Sequence, residues 1–263
     1  MLGYCHGFPS LTIAPSARKH IAPPFPKQER QSVKLWLPTP PGVKHFFPSA
    51  HAGLDKSGGI GDNAGGKTGG NAKMDRIEDI MRLALCPGVG PRSYRRLVDA
   101  FGSPAAALGA TQANLAKVEG LGDKLAAEVA RAHGIDPRPE LNLAAERGAR
   151  ILSQSDPEYP AALKSTFDPP ILLYVKGQLL RQDTLAIGVV GTRAPSQYGQ
   201  AQAERFSSLL ARTGFTVVSG LARGVDSHAH RGALVAGGRT IAVLGCGLSH
   251  IYPEENRDLA MDI

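Results

Sequence analysis

The sequence is poor in the residues that build disulfide frameworks, zinc sites and membrane spans. Its three cysteines, Cys5, Cys86 and Cys246, lie far apart and form no C-x-x-C pair, which argues against a disulfide scaffold and gives no sign of a zinc site. This cysteine usage is typical of a reducing compartment, so we expect a cytoplasmic protein. No apolar run approaches the roughly 18 to 20 residues of a membrane helix, and the first residues lack the continuous apolar core of a signal peptide.

An excess of charge of one sign is also missing from most of the chain. The 263 residues carry a formal net charge of +7, but residues 1–73 alone hold nine Lys and Arg against three Asp and Glu. Residues 74–263 hold 21 Lys and Arg against 20 Asp and Glu, a net charge of only +1. A nucleic-acid site in that part must therefore come from local clusters of charge, because bulk basicity does not supply it.

Residues 1–73 show no sustained periodicity and are crowded with Pro, Gly, Ser, His and Lys, a composition that predicts a disordered N-terminal tail. Within them, the residues from Gly61 to Thr68 match the phosphate-loop pattern G-x-x-x-x-G-K-[ST]. A working loop of that type needs a buried strand before it and a helix after it, and the flanking sequence indicates neither. We interpret the match as chance.

Residues 74–134 predict a small all-α domain. The stretch MDRIEDIMRLALCPGVGPRSYRRLVDAFG gives a helix, a tight turn and a second helix, and LAKVEGLGDKLAAEVARAHG repeats the pattern with Gly120 standing 32 residues after Gly88. Two such units resemble the tandem helix-hairpin-helix, SAM-like modules of DNA-handling proteins. Turn N–H groups at a helix N-terminus can hold a backbone phosphate without reading base sequence.

Basic side chains beside these turns could strengthen a contact with DNA through Coulomb attraction. They are Arg92, Arg95, Arg96 and Lys124. Acidic residues nearby largely cancel this charge, and they are Asp75, Glu78, Asp79 and Asp99. A scaffolding or protein-contact role for the module therefore stays open beside DNA contact.

Residues 135–263 read as an α/β domain. ARILSQSD predicts an edge strand and Ile171–Lys176 a second strand, and three apolar runs follow, LAIGVVGTR, FTVVSGLARG and TIAVLGCG. Short runs rich in Val, Ile and Leu that end in Gly are typical of buried strands. The alternation of strands and helices predicts a Rossmann-like parallel sheet.

Two helices should connect the three apolar runs. The first spans residues 196–213, with Ala203, Phe206, Leu209 and Leu210 on the face that packs against the sheet. The second runs through Val235, with Asp226 as its predicted N-cap.

The chemistry is expected where these strands end, because loops and helix N-termini converge at the carboxyl edge of a parallel sheet. Glycines there let a backbone approach an anion, Ser and Thr donate hydrogen bonds, and Arg offers a planar fork for phosphate. The candidate phosphate-binding residues are Gly191, Thr192, Arg193, Ser219, Gly220, Arg223 and Gly224, with Gly245-Cys246-Gly247 ending the third run.

Asp226, His228 and His230 offer a weaker alternative, a metal or catalytic site. Asp226 and His230 are four residues apart and could share a helix face, but no third ligand is evident. We expect a capping Asp and a histidine hydrogen-bonded inside the fold. Since no nucleophile with a base and no carboxylate pair is visible, we expect no enzyme activity, no cofactor and no metal.

The motifs GTRAPSQYG, VVSGLARGVDSHAHRGAL and TIAVLGCGLSHIYPEEN together resemble the DNA-processing protein A family, also called DprA or Smf. The preceding YPAAL and DPPILLYVKG fit the same family pattern. The resemblance implies an extended Rossmann fold that binds single-stranded DNA, protects incoming DNA and loads the RecA recombinase in natural transformation and recombination. It implies that the seven candidate residues hold the DNA backbone. Tyr198 and Tyr252 are the local candidates for stacking on bases, and packing within the fold is an equal alternative for each.

The family's sheet continues beyond the point that corresponds to Ile263, so the resemblance also implies a C-terminally truncated member with an incomplete sheet. We expect marginal stability, with the surfaces for a homodimer and for RecA lying in the missing part. One competing class is a nucleotide- or phosphoribosyl-binding enzyme similar to the lysine-decarboxylase-like phosphoribohydrolases, although their P-G-G-x-G-T string does not occur here. Molybdenum-cofactor carriers are a related alternative.

Overall fold

The computed structural model describes residues 33–36, 68–247 and 250–263. Its strands are β1 (Val33–Trp36), β2 (Arg150–Ser153), β3 (Leu172–Lys176), β4 (Ala186–Gly188), β5 (Thr216–Ser219) and β6 (Thr240–Leu244). Its helices are α1 (Thr68–Leu85), α2 (Pro91–Phe101), α3 (Pro104–Leu108), α4 (Gln112–Leu115), α5 (Gly122–Arg131), α6 (Arg138–Glu146), α7 (Ala161–Lys164), α8 (Gln197–Arg212), α9 (Val225–Val235) and α10 (Arg257–Asp262). Among these helices, none combines the length and the apolar character needed to cross a membrane.

The expected helical module is present, with α1 and α2 flanking the first hairpin and α4 and α5 the second. The left-handed Gly102 ends α2, and Ser103 caps the next helix by accepting a hydrogen bond from the Ala106 N–H at 3.1 Å. The fully buried Leu97, Leu115 and Val129 fill the space between the helices. These residues share one continuous core with part of the sheet, so burial of apolar surface holds the two parts of the fold together.

Helix α1 begins at Thr68, earlier than the predicted start of the helical domain at residue 74. The prediction that no helix follows the phosphate-loop pattern of residues 61–68 is therefore wrong. The strand that such a loop also needs would fall on residues outside those described.

The six strands form one mixed sheet in the order β2-β3-β1-β6-β5-β4. β1, β6, β5 and β4 run parallel, whereas β3 is antiparallel to both of its neighbours. The start of β3 therefore lies at the same edge as the carboxyl ends of β6, β5 and β4. β4 was predicted to be buried, which is wrong: it lies at the edge of the sheet, with Ala186 and Gly188 exposed.

Strand β1 is the main feature that sequence reasoning missed. It lies in the middle of the sheet, parallel to β6 and antiparallel to β3, and Leu35 is buried beside Val175 and Val243 in register. Four residues are too few to show a periodic pattern, and their pairing comes from tertiary contacts. They are an exception to the disorder expected for residues 1–73, most of which lie outside the described part of the chain.

Helices α8 and α9 pack closely on one face of the sheet through small residues. The buried side chains of α8 are Ala203, Ser207 and Ala211, and a Cβ on Gly232 of α9 would collide with the backbone of Glu204. The predicted face of α8 is therefore wrong in part, since Phe206 and Leu209 are 59% and 50% exposed. Close approach of two helices favours small side chains at the contact, and this turns the larger ones outward.

A buried ion pair fixes the starts of the three parallel strands β4, β5 and β6. Asp183, just before β4, accepts hydrogen bonds from Arg239 Nε at 2.6 Å and Nη2 at 2.8 Å. The same carboxylate accepts from Thr216 Oγ1 at 2.9 Å and from the Leu180 N–H at 2.8 Å. Because Arg239 precedes β6 and Thr216 opens β5, one aspartate ties the three strand starts together.

Candidate nucleic-acid interface

The loops after β4 and β5 are packed backbone to backbone. The Val225 N–H donates to the Thr192 carbonyl at 3.2 Å, and Gly224 has the left-handed φ of 80°. A Cβ on Gly224 would collide with the Thr192 carbonyl oxygen, and a Cβ on Gly191 would lie 2.7 Å from Val225 Cγ2. These two glycines therefore serve the contact between the loops.

Asp226 organises the loop after β5 from the first turn of α9. Its Oδ2 accepts hydrogen bonds from the N–H groups of Gly220 at 3.1 Å and Ala222 at 3.4 Å. The prediction that Asp226 caps the helix is wrong, because Gly224 is the N-cap residue. The left-handed turn at Gly224 places the carboxylate against the loop amides, so those amides are already paired.

Asn256 holds the same loop from the opposite side. Its side-chain amide donates to the Leu221 carbonyl at 2.9 Å and to Ser227 Oγ at 2.9 Å. Leu221 is fully buried and has an unusual φ of 56° for a residue with a side chain. Such a conformation persists only where the surroundings enforce it, so this loop is a preformed framework.

The two predicted hydroxyl groups have different surroundings. Ser219 is buried, and its Oγ donates to the Val189 carbonyl at 2.7 Å, linking β5 to the end of β4. Thr192 is exposed, and its Oγ1 accepts from the Ala194 N–H at 3.2 Å. Ser219 thus supports the site from behind, whereas Thr192 lies at the surface.

The two predicted arginines are both exposed. Arg193 has no hydrogen bond or ion pair within the described residues. Arg223 donates from Nε to Glu255 Oε1 at 2.9 Å, and its guanidinium lies 5.9 Å from the centre of the Tyr252 ring. This hydrogen bond raises the pKa of Arg223 and lowers the pKa of Glu255.

These loops and the segment after β6 surround an open cavity of about 330 Å³. Three of the seven predicted residues line it, namely Arg193, Gly220 and Arg223. The rest of the lining is Ala222, Leu244, Gly245, Cys246, His250, Tyr252 and Pro253. Gly191, Thr192, Ser219 and Gly224 are not in the lining. Sequence reasoning assigned no role to His250, which lies within the motif TIAVLGCGLSHIYPEEN.

The histidines of α9 have structural partners. His230 is fully buried, and its Nδ1 lies 2.7 Å from Thr240 Oγ1, which itself donates to the Val217 carbonyl. Thr240 Oγ1 therefore accepts from a protonated Nδ1, and burial lowers the pKa of His230 to about 4. His228 Nδ1 lies 2.7 Å from Glu204 Oε1 on α8. In the described part of the chain, no three His, Cys, Asp or Glu side chains are grouped to hold a metal.

The basic residues of the helical module are not equivalent. Arg92 Nε lies 2.9 Å from both carboxylate oxygens of Asp168, in the segment that leads into β3. Arg95, Arg96 and Lys124 are exposed, and the Arg96 guanidinium lies over Gly120 of the second hairpin, where a Cβ would collide with it. Arg92 is thus held against the sheet domain.

Comparison with known proteins agrees with this architecture. Residues 150–263 match the DNA recombination-mediator protein A family, and residues 82–133 match the SAM-like helix-hairpin-helix tandem. The chain is 38% identical over 177 residues to protein Smf of Synechocystis, covering 65% of this chain and 44% of that protein. It is 42% identical over 116 residues to the DNA processing protein DprA of Bacillus subtilis, covering 44% of this chain and 39% of that protein.

A solved structure shares the fold. DNA processing protein A from Streptococcus pneumoniae superposes with a TM-score of 0.54 at 28% identity, covering 69% of this chain and 60% of that one. The chain spans less than half the length of the two curated relatives described above. By sequence and by fold, residues 150–263 therefore match the DNA recombination-mediator protein A family, and the curated relatives that the chain resembles are DprA and Smf proteins.

Proposed function

We propose that the chain binds the phosphate backbone of single-stranded DNA in the cavity at the carboxyl edge of the sheet. The observation that carries the proposal is the lining of this cavity, which presents the exposed guanidinium groups of Arg193 and Arg223 and, among the described residues, contains no Asp or Glu. Arginine forks match phosphate geometry, and Arg193 is free of partners within the described residues. Binding of this kind gives affinity with little sequence preference.

The preformed loops support the same proposal. Asp226 and Asn256 pair the polar backbone groups of the loop after β5, so the loop keeps its shape without a ligand. A rigid loop loses little conformational entropy when an anion binds. The matched family is described as a DNA recombination mediator, and the relatives in Bacillus and Streptococcus are named DNA processing proteins. DNA is accordingly the anionic ligand that we assign to this cavity.

Fluorescence anisotropy of labelled oligo-dT over a salt series tests the proposal on the full chain. Arg193→Ala and Arg223→Ala should each weaken binding by about tenfold, the loss of one charged hydrogen bond. Both substitutions should also reduce the salt slope, which is the slope of log K against log salt concentration, by about 0.7 per lost phosphate contact. Arg212→Ala is the matched control, because Arg212 is exposed in the last turn of α8, at the opposite end of that helix from the cavity. Equal affinity in all four proteins would contradict the site.

A more specific role for the bound DNA follows from the likeness to the DprA and Smf proteins. We propose that the bound strand is incoming DNA, protected and passed to the RecA recombinase during natural transformation and recombination. The measurement is RecA ATPase activity on single-stranded DNA covered with single-strand-binding protein, with and without this chain. Faster onset of ATPase activity supports loading, and an unchanged lag contradicts it. Sedimentation of the same samples tests for a homodimer.

A nucleotide-binding role is the second candidate, because a cavity of about 330 Å³ is in the size range of small-ligand sites. The absence of a carboxylate from the described lining disfavours a hydrolytic enzyme of the phosphoribohydrolase class, which requires a catalytic Glu. Calorimetric titration with dTMP separates the two readings. Binding of dTMP as tight as that of oligo-dT would favour the nucleotide.

A further inference from the structure

A second arginine-aromatic pair lies at the same edge of the sheet as the cavity. Phe167 is 74% exposed, and the Arg92 guanidinium lies 4.6 Å from the centre of its ring. Asp168 accepts from Arg92 Nε, and no other hydrogen bond holds the Arg92 side chain among the described residues. Its two Nη groups therefore keep their donors for a ligand.

The same three chemical groups recur at the cavity. There, the exposed ring of Tyr252 lies beside Arg223, and Glu255 accepts from Arg223 Nε. In both places a carboxylate accepts from the guanidinium Nε. Arg223 also interacts with the Tyr252 side chain, whereas the outer nitrogens of Arg92 have no partner within the described residues. In each pair the guanidinium lies over one face of the ring, so a base can stack on the opposite face while the cation attracts the adjacent phosphate.

The topology brings the two pairs near each other. Phe167 and Asp168 lie in the segment that leads into β3, and β3 is antiparallel to the neighbouring β1. The start of β3 is therefore level with the carboxyl end of β6, two strands away in the sheet. At a spacing of about 4.8 Å between strands, the start of β3 and the end of β6 are about 10 Å apart across the sheet. A strand of nucleic acid that leaves the cavity across β6 and β1 would meet Phe167 next.

We infer that Phe167 and Arg92 form a second contact for single-stranded DNA, in which a base stacks on Phe167 and the adjacent phosphate binds the outer nitrogens of Arg92. This inference deepens the proposed function and rests on it. It gives the helical module a DNA contact of a particular kind. Arg92 at the start of α2 reaches the strand beside an aromatic ring that belongs to the sheet domain.

Oligo-dT of about 4 and about 16 nucleotides tests this, since these lengths span the range of site sizes in single-strand-binding folds. Phe167→Ala should weaken binding of the longer oligonucleotide at least about fivefold and leave the shorter one unchanged. Phe167→Tyr should restore the affinity, because it restores the ring. Arg92→Ala should lower the salt slope by about 0.7, whereas Phe167→Ala should not. Phe206→Ala is the control, an exposed ring within α8.

A Phe167→Trp variant gives a readout that affinity alone cannot. Stacking of a base on the new indole should quench its fluorescence on titration with the longer oligo-dT, beyond any change in the wild type with its single Trp. If Arg193→Ala weakens binding while Phe167→Ala does not, the second contact is wrong and the cavity stands. If the wild type binds neither oligonucleotide, the proposed function and the second contact both fail.

Discussion

Replacing Asp183 by Ala should destabilise the fold more than any exposed charge substitution. Asp183 and Arg239 have side-chain exposures of 11% and 8%, and Asp183 accepts four hydrogen bonds. Removing the carboxylate leaves a guanidinium buried without its counter-charge, a change that typically costs about 3 to 5 kcal/mol. For a native state stabilised by about 5 to 15 kcal/mol, this is a large fraction.

Urea denaturation followed by circular dichroism measures this loss as a shift in midpoint at constant slope. Asp136→Ala is the matched control, since Asp136 forms an exposed pair with Arg138 at 2.8 Å and its loss should leave the midpoint almost unchanged. A cost below about 1 kcal/mol for Asp183→Ala would refute the role of this residue as the clamp of the strand starts.

The same carboxylate gives a pH dependence of known sign. Burial raises the pKa of Asp183, but hydrogen bonds from Arg239, from the Leu180 N–H and from Thr216 lower it. Together the hydrogen bonds outweigh burial, so the pKa of Asp183 is below its ordinary value. A depressed carboxylate pKa stabilises the native state above the unfolded pKa of about 3.9. This contribution is lost as the pH falls below that value through the folded pKa.

Three further changes test other parts of the structure. Because the pKa of His230 falls to about 4 on folding, the free energy of unfolding should drop by about 3 kcal/mol as the pH falls from 6.5 to 4. His230→Asn should remove this pH dependence, and equal pH profiles for the two proteins would contradict it. Gly224→Ala should cost about 2 kcal/mol or more and weaken oligo-dT binding, because the added Cβ meets the Thr192 carbonyl; Gly237→Ala, at a similar φ of 70° in open space, should cost about 1 kcal/mol. Leu35→Ala should cost about 2 to 5 kcal/mol in urea denaturation if β1 lies in the sheet, and no cost would place that segment elsewhere.

Local patterns in the sequence were sufficient for the elements with strong periodicity. β5, β6 and the helices around the two hairpins follow from short apolar runs and from glycine at the turns. β1 could not be found in this way, because its position comes from pairing with β3 and β6, which are far away along the chain. The outward orientation of Phe206 likewise reflects the close contact between α8 and α9, which helical spacing does not encode.

In the candidate site, too, the sequence predicted some residues correctly and left others to be assigned by the fold. Residue types at the strand ends indicated Arg193 and Arg223, and both line the cavity. Gly191, Gly224 and Ser219 were grouped with them, but their contacts are with neighbouring segments of the chain, and of the predicted glycines Gly220 lines the cavity. Only the folded structure separates side chains that face the cavity from those that support it. The pairing of Arg92 with Asp168, 76 positions away, likewise had no local signal.

Amide hydrogen exchange with and without saturating oligo-dT tests the central claim most directly, because it locates the bound strand on the chain. The account predicts that DNA binding slows amide exchange in residues 190–194, which include Arg193, and in residues 250–255, which include Tyr252. Exchange in residues 205–213, at the C-terminal end of α8, should not change. Protection confined to the helical module, with the strand-end segments unchanged, would contradict the account and move the DNA site to the hairpins.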